Sequence, residues 1–448
     1  MKVKRTVTEF FDKEYLDYAK YVVQNRAIPS CIDGLKPTQR KIIYIADKVW
    51  KSGNEKQMKL FQLAGLVAAQ AYYHHGDASL NSAMTGMAQK FKNSMPLLKA
   101  IGQFGSLRAP EAGAPRYIST KLDPNFRLLY KDFELLENKI EEGEKIEPEF
   151  FLPIVPTVIL NGTSGIAVGF STKILNRNPI EVIDACINAL TGKKIPALSP
   201  WLDEFSGTFT RDPNNPKTWK IKGRYEIKNT TTVVVNEIPP NYTYENYEAH
   251  LQKLIERKVI TDYDDNSDGK VEYVIKFQRA VLKDLMSKNK LERELKINSQ
   301  ETENLTTLDE FGELKIFNKV EEIVEYFVGV RLTWYDKRKS YIIDKIKREL
   351  LVLNNRARFI KDIISGKLKI NNVPRETIVS YLDENKYDKV DGSYSYLLSM
   401  PIHTLTKEKF EELLKQVGDK EVELEQINKT DPKDMYLQDL KDLKKAVK

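Results

Sequence analysis

Apolar residues between Ile323 and Ile364 recur at a spacing that a long helix buries along one side. Ile323, Phe327, Val330 and Trp334 are 4, 3 and 4 residues apart. After a skip, Ile346, Leu350, Leu353, Ala357, Ile360 and Ile364 continue at 4, 3, 4, 3 and 4. This predicts a coiled-coil seam of about 40 residues, longer than most globular helices. Gly366 supplies the stop, because only glycine enters the left-handed backbone region without penalty. A small globular segment containing Tyr394 to His403 follows, and a Glu/Lys-rich stretch from Thr406 returns to a helical pattern. A helix out, a small helical knob and a helix back make a long antiparallel coiled-coil arm, with the knob as a dimerisation element.

The rest of the 448 residues needs further cores, roughly two to four domains in all. The first 30 residues read as a helical arm, with Phe10, Phe11, Tyr15, Tyr18 and Tyr21 near helical spacing. The turn Asp33-Gly34-Leu35-Lys36-Pro37 opens a helix that reaches about Val49, since proline is tolerated in a first helical turn. A second helix is expected over 57–71 and a third from Asp77, taken as its N-cap, through Met84 and Met87. Three short helices joined by tight turns suit a helix-turn-helix, winged-helix-like domain over 31–160. Gly-rich, β-branched residues over 150–175 predict buried strand and tight turns. Runs such as Thr231–Ile238 and Val271–Phe277 alternate with helices, predicting a mixed α+β tower over 161–320. The arm takes 321–448. The fold class is α+β, multidomain.

Several classes are excluded. No run of about 20 apolar residues could span a membrane as a helix, and the basic N-terminus lacks the apolar core of a secretory signal. Cys31 and Cys186 have no zinc or redox spacing, which fits a reducing cytoplasm. The formal charge of +7 is mild, with 71 basic residues against 64 acidic ones. Its distribution is more informative, because Lys36, Arg40, Lys41, Lys90, Lys92, Lys99, Arg108, Arg116 and Lys121 crowd the first third.

Four segments carry chemistry. They are Arg26-Ala27-Ile28-Pro29 followed by Asp33-Gly34-Leu35-Lys36-Pro37-Thr38-Gln39-Arg40; Tyr73-His74-His75-Gly76-Asp77; Phe104-Gly105-Ser106 followed by Ala114-Pro115-Arg116-Tyr117; and Leu160-Asn161-Gly162-Thr163-Ser164-Gly165-Ile166-Ala167-Val168-Gly169. In order and spacing they resemble the breakage-reunion subunit of type IIA DNA topoisomerases (gyrase A, topoisomerase IV and the C-terminal half of eukaryotic topoisomerase II). In length and detail the likeness is strongest to phage-encoded members. A phenol suits reversible strand cutting because it serves as both nucleophile and leaving group. A guanidinium beside it binds two phosphate oxygens and stabilises charge on five-coordinate phosphorus.

The resemblance implies that Tyr117 is the nucleophile and Arg116 the transition-state stabiliser. It implies DNA contacts from Arg26, Lys36, Arg40 and His75, and an apolar wedge, Ile174, inserted between base pairs. No metal ligands are assigned: adjacent His74 and His75 point in different directions, and an acidic Asp-x-Asp cluster able to hold magnesium is not expected in this chain. Nor is there a P-loop. Mg2+ and ATP are therefore expected on a separate ATPase and metal-binding subunit of the TOPRIM type, acting with a homodimer of this chain on double-stranded DNA. The absence of a wrapping domain after the Pro432–Asp439 region favours relaxation or decatenation over negative supercoiling. Departures from the bacterial pattern are a proline missing between the histidines, a Gly102–Ser106 segment two residues shorter, and Ala78 where serine is usual. The alternative is a non-catalytic DNA-binding scaffold dimerised through the coiled coil, which gives no role to Arg116 and Tyr117.

Overall fold

The computed structural model describes residues 7–51 and 56–447. The chain divides into two compact units, 1–331 with 437–448 and 332–436.

In the first unit, the N-terminal arm has a short helix, α1 (Leu16–Val22), flanked by π-helical turns at Phe10–Tyr15 and Val23–Ala27. The aromatic residues expected to organise this arm face outward: Phe11, Tyr15, Tyr18 and Tyr21 are all exposed, while the Phe10 side chain and residues 1–6 lie outside the described part. What anchors the arm is its C-terminal end, where Val22, Val23, Ala27 and Ile28 pack with Leu308.

Three helices follow, α2 (Pro37–Trp50), α3 (Leu60–Gln70) and α4 (Asp77–Ala88). The N-cap of α4 is Gly76, so Asp77 is its first helical residue rather than its cap. There its carboxylate still meets the positive end of the helix dipole. Leu60, Leu63, Val67, Leu80 and Met84 are fully buried, as are Ile42, Ile43 and Ile45, where the three helices pack on one another. Beside the helices lies an antiparallel sheet of β1 (Met58–Lys59), β2 (Leu98–Ile101) and β3 (Ser119–Leu122), with β3 in the centre. Three helices and a small antiparallel sheet make up this part, in the order α2, β1, α3, α4, β2, β3.

The Gly-rich segment forms a hairpin, β4 (Thr163–Ile166) and β5 (Ser171–Ile174). A Cβ on Gly165 would stand 2.1 Å from the Ala27 carbonyl oxygen, so only glycine lets this strand lie against the arm. The segment is fixed below by a buried network. Arg177 forks onto Glu303 at 3.1 and 2.8 Å, and the Trp219 indole N–H donates to the same carboxylate at 2.8 Å.

The α+β portion contains the three-stranded sheet β6 (Thr208–Arg211), β7 (Thr218–Lys222) and β12 (Asn298–Thr302). It also contains the four-stranded sheet β8 (Arg224–Asn229), β9 (Thr232–Glu237), β11 (Tyr273–Lys276) and β10 (Asp262–Asp265). Val233, Val235, Tyr273 and Ile275 from the second sheet close a core with Tyr247, Leu251 and Leu254 of helix α5 (Tyr244–Glu256). Residues 306–316 form a final hairpin that bonds back to the arm, with the Cys31 N–H donating to the Leu308 carbonyl at 2.7 Å.

Helix α6 (Val320–Ile364) is 45 residues long, as the periodicity required. Its first turns carry Ile323 and Phe327 into the core of the first unit. In the second unit Ile346 and Leu350 pack with Val417, and Ala357 and Ile360 pack with Leu413, all on helix α7 (Lys407–Lys429). Rising positions on α6 meet falling positions on α7, so the two helices run antiparallel. Lys339 Nζ to the Asn428 carbonyl at 3.0 Å and Lys420 to Glu349 at 2.8 Å follow the same register. The skip between Trp334 and Ile346 lies within the second unit, which the helix enters after Arg331. Ile364 departs from the expected seam and is exposed. Gly366 stops the helix with φ +74°. The segment after it forms its own core around Phe359, Leu382, Tyr387, Tyr394 and Leu397. Among the described residues no helix is long and apolar enough to cross a membrane.

Candidate active site

Tyr117 closes a tight turn immediately before β3. Its N–H donates to the Ala114 carbonyl at 2.8 Å, and the next residue, Ile118, is buried at 2% exposure. The isoleucine pins the turn; the tyrosine side chain, 70% exposed, projects outward. Arg116 lies against it, its guanidinium carbon 5.2 Å from the phenol ring centre. Lys59, at the start of α3, donates Nζ to the Tyr117 carbonyl at 2.8 Å, and the Leu60 N–H donates to the Ile118 carbonyl at 3.2 Å. Tyr117 is thus held by backbone bonds on both sides, with the Arg116 guanidinium against its ring and the Lys59 ammonium on its carbonyl. A guanidinium so placed can stabilise the negative charge that builds on an attacked phosphate.

The loop before Tyr117 is equally constrained. Gly105 has φ +80°, and a Cβ there would meet the Ala109 oxygen and the Pro110 carbonyl carbon at 2.7 Å. The buried Gln89 amide donates to the carbonyls of Phe104 and Pro110 at 2.8 and 3.1 Å. Arg108, one of the basic residues crowded into the first third, is buried. It pairs with Glu237 at 2.5 Å and donates to the Pro239 and Tyr242 carbonyls at 2.8 and 2.9 Å, stapling the loop to the α+β portion.

The sequence-derived contacts fare unequally. Arg26 is exposed at the end of the arm. Lys36 is half-buried and donates Nζ to the Ser164 carbonyl at 2.7 Å, so it braces the hairpin; burial holds its ammonium pKa below the ordinary lysine value. The two histidines do diverge: His74 Nε2 lies 3.0 Å from Glu141 Oε1, whereas His75 Nε2 is 3.4 Å from the Tyr21 hydroxyl. Among the described residues, neither Lys36 nor His75 hydrogen-bonds to Tyr117 or Arg116.

Two assignments are corrected. Arg40 is not a phosphate contact on a helix surface. It is buried and forks onto Asp33, itself fully buried, at 2.7 and 3.1 Å. Ile174 is not an exposed wedge; at 2% exposure it faces the core. The isoleucine that the same hairpin exposes is Ile166, 87% accessible at the end of β4. Ile166 and Lys59 are the residues that sequence reasoning missed. Strand alternation could have flagged the first; the second reaches Tyr117 only through the β1–β3 pairing.

The expectation about Asp-x-Asp spacing also needs amendment, because Asp262 and Asp264 have it. Both lie near Lys276 Nζ, at 3.8 and 2.8 Å. Among the described residues no group of three His, Cys, Asp or Glu side chains is placed to hold a metal ion. The residues present therefore do not fit a self-contained magnesium site.

The exposed Tyr117 beside Arg116 sits on a frame of three helices and a small antiparallel sheet, with the α+β portion attached. The family model for the A subunit of DNA gyrase/topoisomerase IV matches residues 26–442, and the chain belongs to that family. It is 33% identical over 459 residues to the mitochondrial DNA topoisomerase 2 of Dictyostelium discoideum, covering 98% of this chain and 35% of the relative. It is also 33% identical over 494 residues to DNA topoisomerase 2 of Arabidopsis thaliana, covering 99% of this chain and 33% of the relative. The chain therefore spans about a third of the length of these relatives. Among solved structures it is similar to the DNA-binding, cleavage and re-ligation domain of Plasmodium falciparum topoisomerase II, with TM-score 0.88 and 31% identity, covering 98% of this chain and 64% of the other.

Proposed function

We propose that this chain is the DNA-breaking and rejoining part of an ATP-dependent type IIA topoisomerase. The observation that carries the reading is the exposed Tyr117 phenol, fixed by its backbone and flanked by Arg116 and Lys59. Tyr117 Oη attacks a DNA phosphorus and gives up its proton. A 5′-phosphotyrosyl ester forms as the bond to the 3′ oxygen breaks, and that oxygen takes up a proton. The bond count is conserved, so reversal reseals the strand without an external energy source. Arg116 stabilises the five-coordinate phosphorus. Arg26 and His75, both exposed, contact the bound duplex, and Ile166 takes the wedge role that burial denies to Ile174.

Two copies of the chain would cut opposite strands, with the antiparallel helices and knob of 332–436 as the dimerising arm. Magnesium and ATP belong to a separate subunit in this reading. The support is that the tyrosine's neighbours are cationic and that the sequence carries no P-loop. The motif details favour a relation to the medium subunit of T4-like bacteriophage topoisomerases, working in a host cytoplasm.

The test is cleavage of supercoiled plasmid with magnesium and the cognate ATPase subunit, stopped with denaturant. Wild type should give linear DNA with protein on the 5′ ends, and Tyr117→Phe none. Adduct formation by Tyr117→Phe would show that another tyrosine is the nucleophile. DNA binding with no adduct from wild type would leave the scaffold reading in its place.

A further inference from the structure

The second unit, 332–436, carries a charge pattern that neither the pairing of its helices nor the breakage chemistry uses. From Lys337 to Arg348 of α6, six of twelve residues are basic and only Asp344 is acidic. The helix packed against it differs. On α7 five basic residues stand among seven acidic ones, and Lys409, Lys420 and Lys429 pair along the helix with Glu412, Glu423 and Glu425 at 2.9, 2.8 and 2.5 Å. Pairs of opposite charge three or four residues apart are the ordinary way a solvated helix face is balanced. Asp344 precedes Arg348 by four residues and offsets part of the charge, but Lys345 and Arg348 place like charges at neighbouring positions, which works against the helix.

Helix geometry gathers the charge on one side. Each residue turns the helix by about 100°. Lys337, Tyr341, Lys345 and Arg348, spaced 4, 4 and 3, therefore run along the side opposite Ile346, Leu350 and Ala357, which face α7. All four are exposed. Lys337 holds its ammonium 3.9 Å from the Trp334 ring centre, a contact that fixes the head of the strip and leaves the lysine accessible.

The form of the strip fits a duplex backbone. Lys337 and Arg348 are about 16 Å apart along the helix axis. Over that length one DNA strand presents about five phosphates. A regular row of anions on this scale belongs to a nucleic acid rather than to a folded acidic surface. Lysine, arginine and tyrosine are also among the side chains that proteins aim at phosphate and sugar.

We propose that Lys337, Tyr341, Lys345 and Arg348 form a duplex-binding strip on the arm, a grip on DNA separate from the unit that carries Tyr117. This rests on the reading that the chain works on DNA. The strip touches backbone only, so it holds a duplex of any sequence.

The test is acetylation of surface lysines in the full chain, read by mass spectrometry with and without a short duplex. Lys337 and Lys345 should be protected by the duplex, and Lys429, exposed on α7, should not. With three phosphate contacts at ~0.9 each, the duplex concentration for half-protection should rise about 40-fold between about 50 and 200 mM salt. Arg348→Gln should cut that rise to about 12-fold, and Arg348→Lys should keep it near 40-fold. Unprotected Lys337 and Lys345 overturn the strip. So do equal protection of Lys429, an unchanged salt response in Arg348→Gln, and protection by polyglutamate but not by duplex. Tyr117 adduct formation, measured on the same protein with magnesium and its ATPase subunit, separates this proposal from the breakage function. Adduct without protection overturns the strip alone; protection without adduct supports the strip and removes the breakage function; neither removes both.

Discussion

Arg40 separates two meanings of a basic residue, and replacing it with methionine tests which one holds. A surface phosphate contact would be lost without harm to the fold. The structure requires the opposite. Asp33 Oδ2 accepts from Arg40 Nε at 2.7 Å and from the Phe151 N–H at 3.1 Å, while Oδ1 accepts from Arg40 Nη2 and the Leu35 N–H at 3.1 and 3.0 Å. Arg40 also donates to the Leu35 carbonyl at 3.0 Å. With the guanidinium gone, the Asp33 carboxylate keeps its two backbone donors but loses its counter-charge in a buried site. Breaking such a buried pair costs about 3–5 kcal/mol, and the surviving backbone bonds put Arg40→Met near the lower end. Urea denaturation should show that loss as a lower midpoint with an unchanged slope. Duplex binding by the folded fraction should keep its salt dependence. An Arg40→Met protein with wild-type stability and a salt slope lower by about 0.9 would refute the structural role.

Three further outcomes follow from the same geometry. Ile166→Ala should leave stability within about 0.5 kcal/mol of wild type, because the side chain is exposed, yet reduce the bending of bound duplex in a resonance-energy-transfer assay; equal bending would remove the wedge role. Burial pushes the Cys31 thiol up to about 12 and raises Cys186 as well, so neither should react with maleimide at pH 8 until the chain is unfolded. The Glu141 carboxyl is held below its ordinary value of 4.5, first by the His74 hydrogen bond and then by Lys41. A depressed carboxyl stabilises the fold above its unfolded pKa and loses that contribution as pH falls through the folded value. The stability difference between wild type and Glu141→Gln should therefore be constant near neutrality and vanish in acid below that value; a difference that grows on acidification would contradict the pairing.

Much of this organisation was legible because helix periodicity is a local signal. The 4-3 spacing gave helix α6 its length, and Gly366 its end. The Arg116–Tyr117 pair was likewise legible, since adjacent residues need no tertiary information to meet. Partners across the fold were not. Arg40 follows Asp33 by seven residues, and nothing in that spacing says whether the pair is solvated or sealed under Phe151. Ile166 and Ile174 are both isoleucines of one hairpin, and which faces the core depends on strand register, where a shift of one residue exchanges the faces. Lys59 meets Tyr117 only because two short strands pair. The outward-facing aromatics of the arm show the limit of periodicity alone: spacing identified the helix but not its buried side.

The frame around Tyr117 bears on how accurately a cut strand can be rejoined. Reacting atoms must return to within about 3–3.5 Å and in line for resealing to be fast. A severed end tethered to a floppy loop would drift through many positions while the break stayed open. In the proposed cleavage the tether would join a turn nailed down by Ile118, by the Ala114 carbonyl and by Lys59. The turn would then travel as one body when the break widens, carrying the phosphate, its ester and Arg116 in fixed relation. The search on closing is then for the docking of two solid pieces rather than for a wandering chain end, and fidelity of repair becomes a property of the scaffold's stiffness.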